Sequence, residues 1–157
     1  MRRMICSLLA ALCFAGCATM SGGRGGAVDE VHLFGLPMTL NMDANPGADG
    51  FAVRVFVTKG GGAKGSTITS GTLEVLMFDG IAGPDDVAVK QPMQVWKFTP
   101  RELTPLREQT SLGNSYRFVL RWQEPPTYGY ITVAARYVPP KGEPIYSSPS
   151  AITATAK

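Results

Sequence analysis

The stretch SYRFVLRW, residues 115–122, places a large apolar side chain at every second position: Tyr116, Phe118, Leu120 and Trp122. Arg117, Val119 and Arg121 fill the places between. A helix would spread these residues around its circumference, whereas a strand sends them to opposite sides of a sheet. The same period returns in GFAVRVFVT, where Phe51, Val53, Val55 and Val57 oppose Ala52, Arg54, Phe56 and Thr58. It returns again in GTLEVLMFDG, with Leu73, Val75 and Met77 against Leu76 and Phe78, and in YITVAARYV, with Ile131, Val133, Ala135 and Tyr137 on one face. QVWKFT sets Trp96 and Phe98 together. HLFGLPMTLNM is β-rich, with Gly35 and Pro37 marking an edge or a bulge, and the last run, PIYSSPSAITATA, is broken by Pro149. Repeated alternation of this kind belongs to antiparallel strands with one buried face.

The intervals between the runs carry turn chemistry. TKGGGAKGS is a glycine-rich loop, and PPKGEP joins two strand runs as a hairpin connection. In TPRELTPLREQ, Thr99 can cap a helix, Pro100 suits its first turn and Glu102 closes a capping box, while Pro105 limits it to a turn or two. Asp85 and Asp86 follow Gly83-Pro84 and read as a turn. The expected fold is all-β: an antiparallel β-sandwich of about seven strands plus one short helix.

The chain starts differently. Arg2 and Arg3 precede an apolar stretch from Met4 to Ala15, too short for the ~20 residues of a bilayer-spanning helix and about right for a signal peptide. Ala15-Gly16-Cys17 closes it and resembles the bacterial lipobox, with Phe14 where Leu is usual. The resemblance implies cleavage before Cys17, a diacylglycerol on its thiol, and an acylated new N-terminus. It divides the chain into a signal peptide at 1–16, a lipidated Cys17 with a Gly-rich tether at 17–30, and a β-sandwich domain at 31–157. The alternative is a plain secretory signal cleaved near Ala18. Because Ala18 is not the Asp that retains some lipoproteins at the inner membrane, the resemblance points to the outer membrane, facing the periplasm or the cell surface.

The three cysteines, Cys6, Cys13 and Cys17, all lie in this segment. The domain that follows has neither a disulfide nor a thiol, so its own packing must hold it. Arg2 and Arg3 supply two of the three net positive charges of the full chain. The remaining cations, such as Arg54, Lys97, Arg117 and Arg136, read as scattered singles, which argues against a nucleic-acid partner. His32 is the only histidine. The glycine-rich loop lacks the Gly-Lys-Ser/Thr ending of a phosphate loop. Asp43, Asn45 and Asp49 alternate as hard-cation ligands do, but residues 51–58 hold no bidentate Glu, and the same residue types make ordinary turns. Glu74, Asp79 and Glu124 could supply a carboxylate pair, although no spacing selects one. Trp96 and Trp122 could form a carbohydrate or peptide platform, although both are in phase with an apolar face. No cofactor, metal site or catalytic residue is expected.

Three further resemblances follow from longer stretches. GTLEVLMFDG, VWKF, LGNSYRFVLRW and ARYVPPKGEPIYSSP resemble a group of uncharacterised exported bacterial proteins. YGYITVAARYVPPKGEPIYSSPSAITATA is similar to the last two strands of a fibronectin type III domain, an immunoglobulin-like sandwich. The lipobox-like Cys17, the tether and LNMDANPGADGFAVRVFV resemble the transthyretin-like lipoprotein of type VI secretion. The first of these implies no known activity, and fold likeness does not give function. With one histidine, no thiol in the domain and carboxylates mostly in turns and at strand ends, the residue inventory instead points to a non-catalytic envelope lipoprotein, held to the membrane by its lipid, that binds or scaffolds an envelope protein partner at an edge strand or beside the TKGGGAKGS loop. A type VI secretion-like docking role is one alternative, a carbohydrate- or peptide-binding module another, and an enzyme the least expected. Cys17→Ser should abolish palmitate labelling and release the protein from the membrane fraction. A wild-type protein that is already soluble and unlabelled would refute the anchor.

Overall fold

The computed structural model of the protein describes residues 27–36 and 38–154. The signal peptide, Cys17 and most of the tether therefore lie outside the described residues. The elements in chain order are β1 (Val28–Gly35), β2 (Gly50–Lys59), β3 (Thr72–Asp79), α1 (Pro84–Val89), β4 (Gln94–Phe98), α2 (Pro100–Leu103) with a 3-10 turn (Thr104–Leu106), β5 (Arg107–Thr110), β6 (Gly113–Arg121), β7 (Tyr130–Val138), β8 (Ile145–Tyr146) and β9 (Ser150–Thr153). β1 begins at Val28, so the strand reaches back into the stretch read as tether.

The strands form two sheets. The first has the order β1-β2-β6-β5 and the second β4-β3-β7-β8, with β9 also paired to β7. All these pairings are antiparallel. This is the Greek-key strand order of an immunoglobulin constant-type sandwich, with β4 added beside β3. The final strand is split because Pro149 cannot donate to a ladder: Ile145–Tyr146 pairs with one stretch of β7 and Ser150–Thr153 with another.

The alternating apolar residues meet between the sheets. Phe51, Val53, Val55 and Val57 of β2 and Tyr116, Phe118 and Leu120 of β6 face Leu73, Val75 and Met77 of β3 and Ile131, Val133, Ala135 and Tyr137 of β7 in one core. Trp122 joins them at 8% exposure. The half-buried Trp96 meets Phe51 edge to face, centroids 5.4 Å apart, and Phe98 packs on Phe118 at 4.7 Å. Both tryptophans thus belong to the packing of the sandwich.

Residues 66–71 carry the chain from the first sheet to the second. Buried Ile68 donates its N–H to the Tyr116 hydroxyl at 2.7 Å, and the Tyr137 hydroxyl donates to the Ser70 carbonyl at 3.0 Å. Just before the crossing, Gly65 docks against β6: its N–H donates to Leu112 O and its carbonyl accepts from Asn114 N–H. A Cβ at Gly65 would lie 2.1 Å from the Asn114 carbonyl, so the end of the glycine-rich loop is part of the frame.

The expected helix is α2, where Glu102 accepts from the Thr99 N–H and hydroxyl, each at 2.7 Å. Asp85 and Asp86, read as a turn, instead lie in a second helix, α1. Gly83 precedes it, Pro84 occupies its first turn, and Asp86 accepts the Gly83 N–H at 2.8 Å.

Trp122→Ala should cost ~3–5 kcal/mol through the cavity it leaves. Tyr116→Phe should cost ~1–3 kcal/mol by leaving the Ile68 N–H buried without an acceptor. Urea unfolding measures both, and an unchanged midpoint in either would show that the group is not buried as described.

Candidate functional site

The two outer faces of the sandwich differ. On the second sheet, α1 lays Val87 over Leu76, Phe78, Ala82 and Ala134, with Val95 and Tyr146 at the margin. Beside this cluster Glu74 is buried on mid-β3. It takes Arg136 Nε at 2.6 Å and Lys97 Nζ at 3.2 Å. Arg136 also lies over the Tyr146 ring, 5.8 Å from its centroid. Burial works to lower the Arg136 pKa, but the Tyr146 hydroxyl and the Glu74 carboxylate outweigh it and hold the guanidinium protonated. On this face α1 covers the apolar cluster, and the two cations share one buried carboxylate close to both.

Among the described residues, no helix lies over the first sheet. Its outer residues fall into rows across the strands, as the register dictates. Leu36, Ala52 and Val119 form one row, since Leu36 N–H donates to Ala52 O and Ala52 pairs with Val119. Phe34, Arg54 and Arg117 form the next. His32 and Phe56 follow. Because Ala52 is small, the rows enclose an open groove of about 470 Å³, lined by Phe34, Leu36, Ala52, Arg54, Phe56, Leu112 and Arg117 among others. Phe34 stands edge-on to Phe56 at 5.7 Å. It is 58% exposed, and Leu36, Leu112 and Val119 are 47%, 59% and 50% exposed.

The charges on this face are unequal. Arg54 and Arg117 are directly opposite on neighbouring strands, an arrangement in which like charges repel. Glu108 of β5 serves both, closely at Arg54 Nη2 (2.6 Å) and loosely at Arg117 Nη1 (3.8 Å). Arg54 Nε is buried and has no hydrogen-bond partner among the described residues.

The other sequence candidates fall elsewhere. His32 is half exposed at the edge of this face, 3.2 Å from Glu30. Asp43 accepts the Asn45 N–H at 2.8 Å and Asp49 the Met42 N–H at 2.7 Å. The Arg121 guanidinium lies 2.8 Å from the second Asp49 oxygen. The Asn45 backbone N–H is the main influence holding the Asp43 carboxyl below its usual pKa. Asp43, Asn45 and Asp49 thus form turns around an arginine, and the described residues contain no cluster of three His, Cys, Asp or Glu able to hold a metal ion. Glu74, Asp79 and Glu124 do not converge: Glu74 lies under Arg136, Glu124 is exposed in a turn, and Asp79 accepts the N–H groups of Thr127 and Tyr128. Burial pushes the Asp79 carboxyl up, but those two N–H groups outweigh it and hold it below the usual range.

In the sequence Arg54, Lys97, Arg117 and Arg136 are scattered single cations. The fold gathers them into two pairs, one around Glu108 and one around Glu74. Their alternation marked the outward positions but not which outward positions become neighbours.

Comparison with known proteins finds no matching family model, no matching curated protein and no matching solved structure.

Arg117→Thr removes one member of a repelling pair. It should leave stability unchanged or raise it by up to ~1 kcal/mol in urea unfolding. A larger loss would show that this guanidinium supports the fold.

Proposed function

We propose that this protein is a non-catalytic lipoprotein of the bacterial cell envelope, anchored through Cys17, that binds or scaffolds an envelope protein through the outer face of the first sheet. One observation carries the docking surface: among the described residues α1 packs on the second sheet, while the first leaves Phe34, Leu36 and Leu112 exposed around a groove, with exposed Val119 beside Ala52. Apolar side chains gathered around an open groove, with polar groups at its rim, are the usual mark of an interaction site. Aromatic residues and Arg, both present here, are enriched at such sites.

The lipobox-like Ala15-Gly16-Cys17 supports the anchor, and the run of Gly22, Gly23, Gly25 and Gly26 supports a tether that holds the domain off the lipid. Leu36 stands roughly 25 Å from Val28 at the rise of a strand. The groove is therefore at the end of β1 away from the tether, where a partner has room. A binding role also fits the chemical inventory: one histidine, no cysteine after Cys17, and Asp43, Asp49, Asp79 and Glu74 engaged by backbone N–H groups or arginines.

Chemical crosslinking of intact cells followed by mass spectrometry should recover one dominant envelope protein. Leu36→Asp with Val119→Asp should lose that crosslink, while the melting temperature stays within a few degrees because both side chains are half exposed. Recovery of no specific partner, or a crosslink indifferent to these substitutions, would refute the docking surface.

A further inference from the structure

We infer that the segment docking on the first sheet is acidic as well as apolar: an extended stretch of a protein partner that sets an Asp or Glu between Arg54 and Arg117 and apolar side chains over the Leu36–Ala52–Val119 row. This rests on the docking surface proposed above and adds the chemistry of its occupant. The central row is Phe34, Arg54 and Arg117, read across three neighbouring strands. Two guanidiniums stand directly opposite each other, and like charges so placed destabilise a sheet. Glu108 neutralises one of them. Its carboxylate is 2.6 Å from Arg54 but 3.8 Å from Arg117, whose side chain is 60% exposed. The row keeps a surplus of one positive charge. Arg54 Nε, buried beneath it, has no hydrogen-bond partner among the described residues. A second carboxylate would bring the cluster to two of each sign. A guanidinium can hold a carboxylate through two parallel N–H bonds, which fixes orientation as well as strength.

The contrast with the second sheet sharpens the point. On the second sheet Arg136 and Lys97 also share one carboxylate, but Glu74 is itself buried and stands between them in the register, close to both. Arg54 and Arg117 face each other directly, and their one carboxylate, Glu108, stands to the side on β5. Phe34, Phe56 and Leu112 flank the charges on one side, and Ala52 makes the hollow. An apolar surround lowers the local dielectric and strengthens a charge pair formed there on binding.

The test places the photo-crosslinker p-benzoyl-phenylalanine at Val119, beside Ala52 and two residues from Arg117, in the full chain in living cells. Irradiation should capture one envelope protein, and the mapped segment should carry an Asp or Glu next to the crosslinked residue. Arg117→Glu should cut the yield about tenfold, the effect of ~1.4 kcal/mol, while Arg117→Lys retains most of it. Changing the mapped acid of the partner to Arg should restore capture by Arg117→Glu, which an unfolded variant could not achieve. Capture that ignores the Arg117 charge, or no rescue by the charge swap, would overturn the acidic occupant and leave the docking surface standing. Capture of lipid or of a second copy of this chain would overturn it as well. No capture at all from Val119 would overturn both.

Discussion

The chain has to leave the first sheet after β2 and enter the second at β3, and the sandwich depends on how that crossing is held. Residues 66–71 run close to the core, and Ile68 is buried within it. A buried backbone N–H needs an acceptor, and Tyr116 of β6 provides one with its hydroxyl. Tyr137 of β7 closes on the Ser70 carbonyl from the other sheet. One tyrosine from each layer therefore fixes the same short connection, and through it the registration of the two inner faces. Burial raises the Tyr116 pKa despite the Ile68 N–H and nearby Arg107, so its hydroxyl stays neutral at physiological pH and the hydrogen bond persists. With no cysteine after Cys17, no covalent link shares this task.

Once the inner faces are committed to the core, the outer faces are left to divide two jobs. The connection from β3 to β4 folds into α1 and roofs the second sheet. The connection from β4 to β5 becomes α2 and a 3-10 turn that links the two sheets, so it roofs neither. The first sheet is consequently exposed by topology. Its apolar rows and its paired arginines sit on a surface that none of the described elements covers.

Period two made much of the architecture legible. Phe51 through Val57, Tyr116 through Trp122 and Ile131 through Tyr137 all bury the face that alternation assigns to them. The α2 helix was legible because capping is local: Thr99, Pro100 and Glu102 are enough. The α1 helix was missed because Gly-Pro-Asp-Asp serves a turn as well as a helix start, and its single buried residue, Val87, gives no periodic pattern. Phe56 was assigned to the outer face correctly, yet it is buried, because Phe34 and the docked Gly65 cover it.

By itself, then, the sequence determined the strand class, the inward and outward sets of each strand, the break at Pro149 and the lack of any covalent staple, since each depends on residues near one another in the chain. Tertiary structure decided the rest. Phe34, Arg54 and Arg117 come from β1, β2 and β6, and Glu108 comes from β5. Whether they meet depends on strand order and register, which alternation leaves open: it tells which face a residue takes, not which residue stands across from it. The same holds for Glu74, where Lys97 and Arg136 arrive from strands on either side. The candidate site is a property of that cross-strand row, and it exists once long-range pairing has set the register.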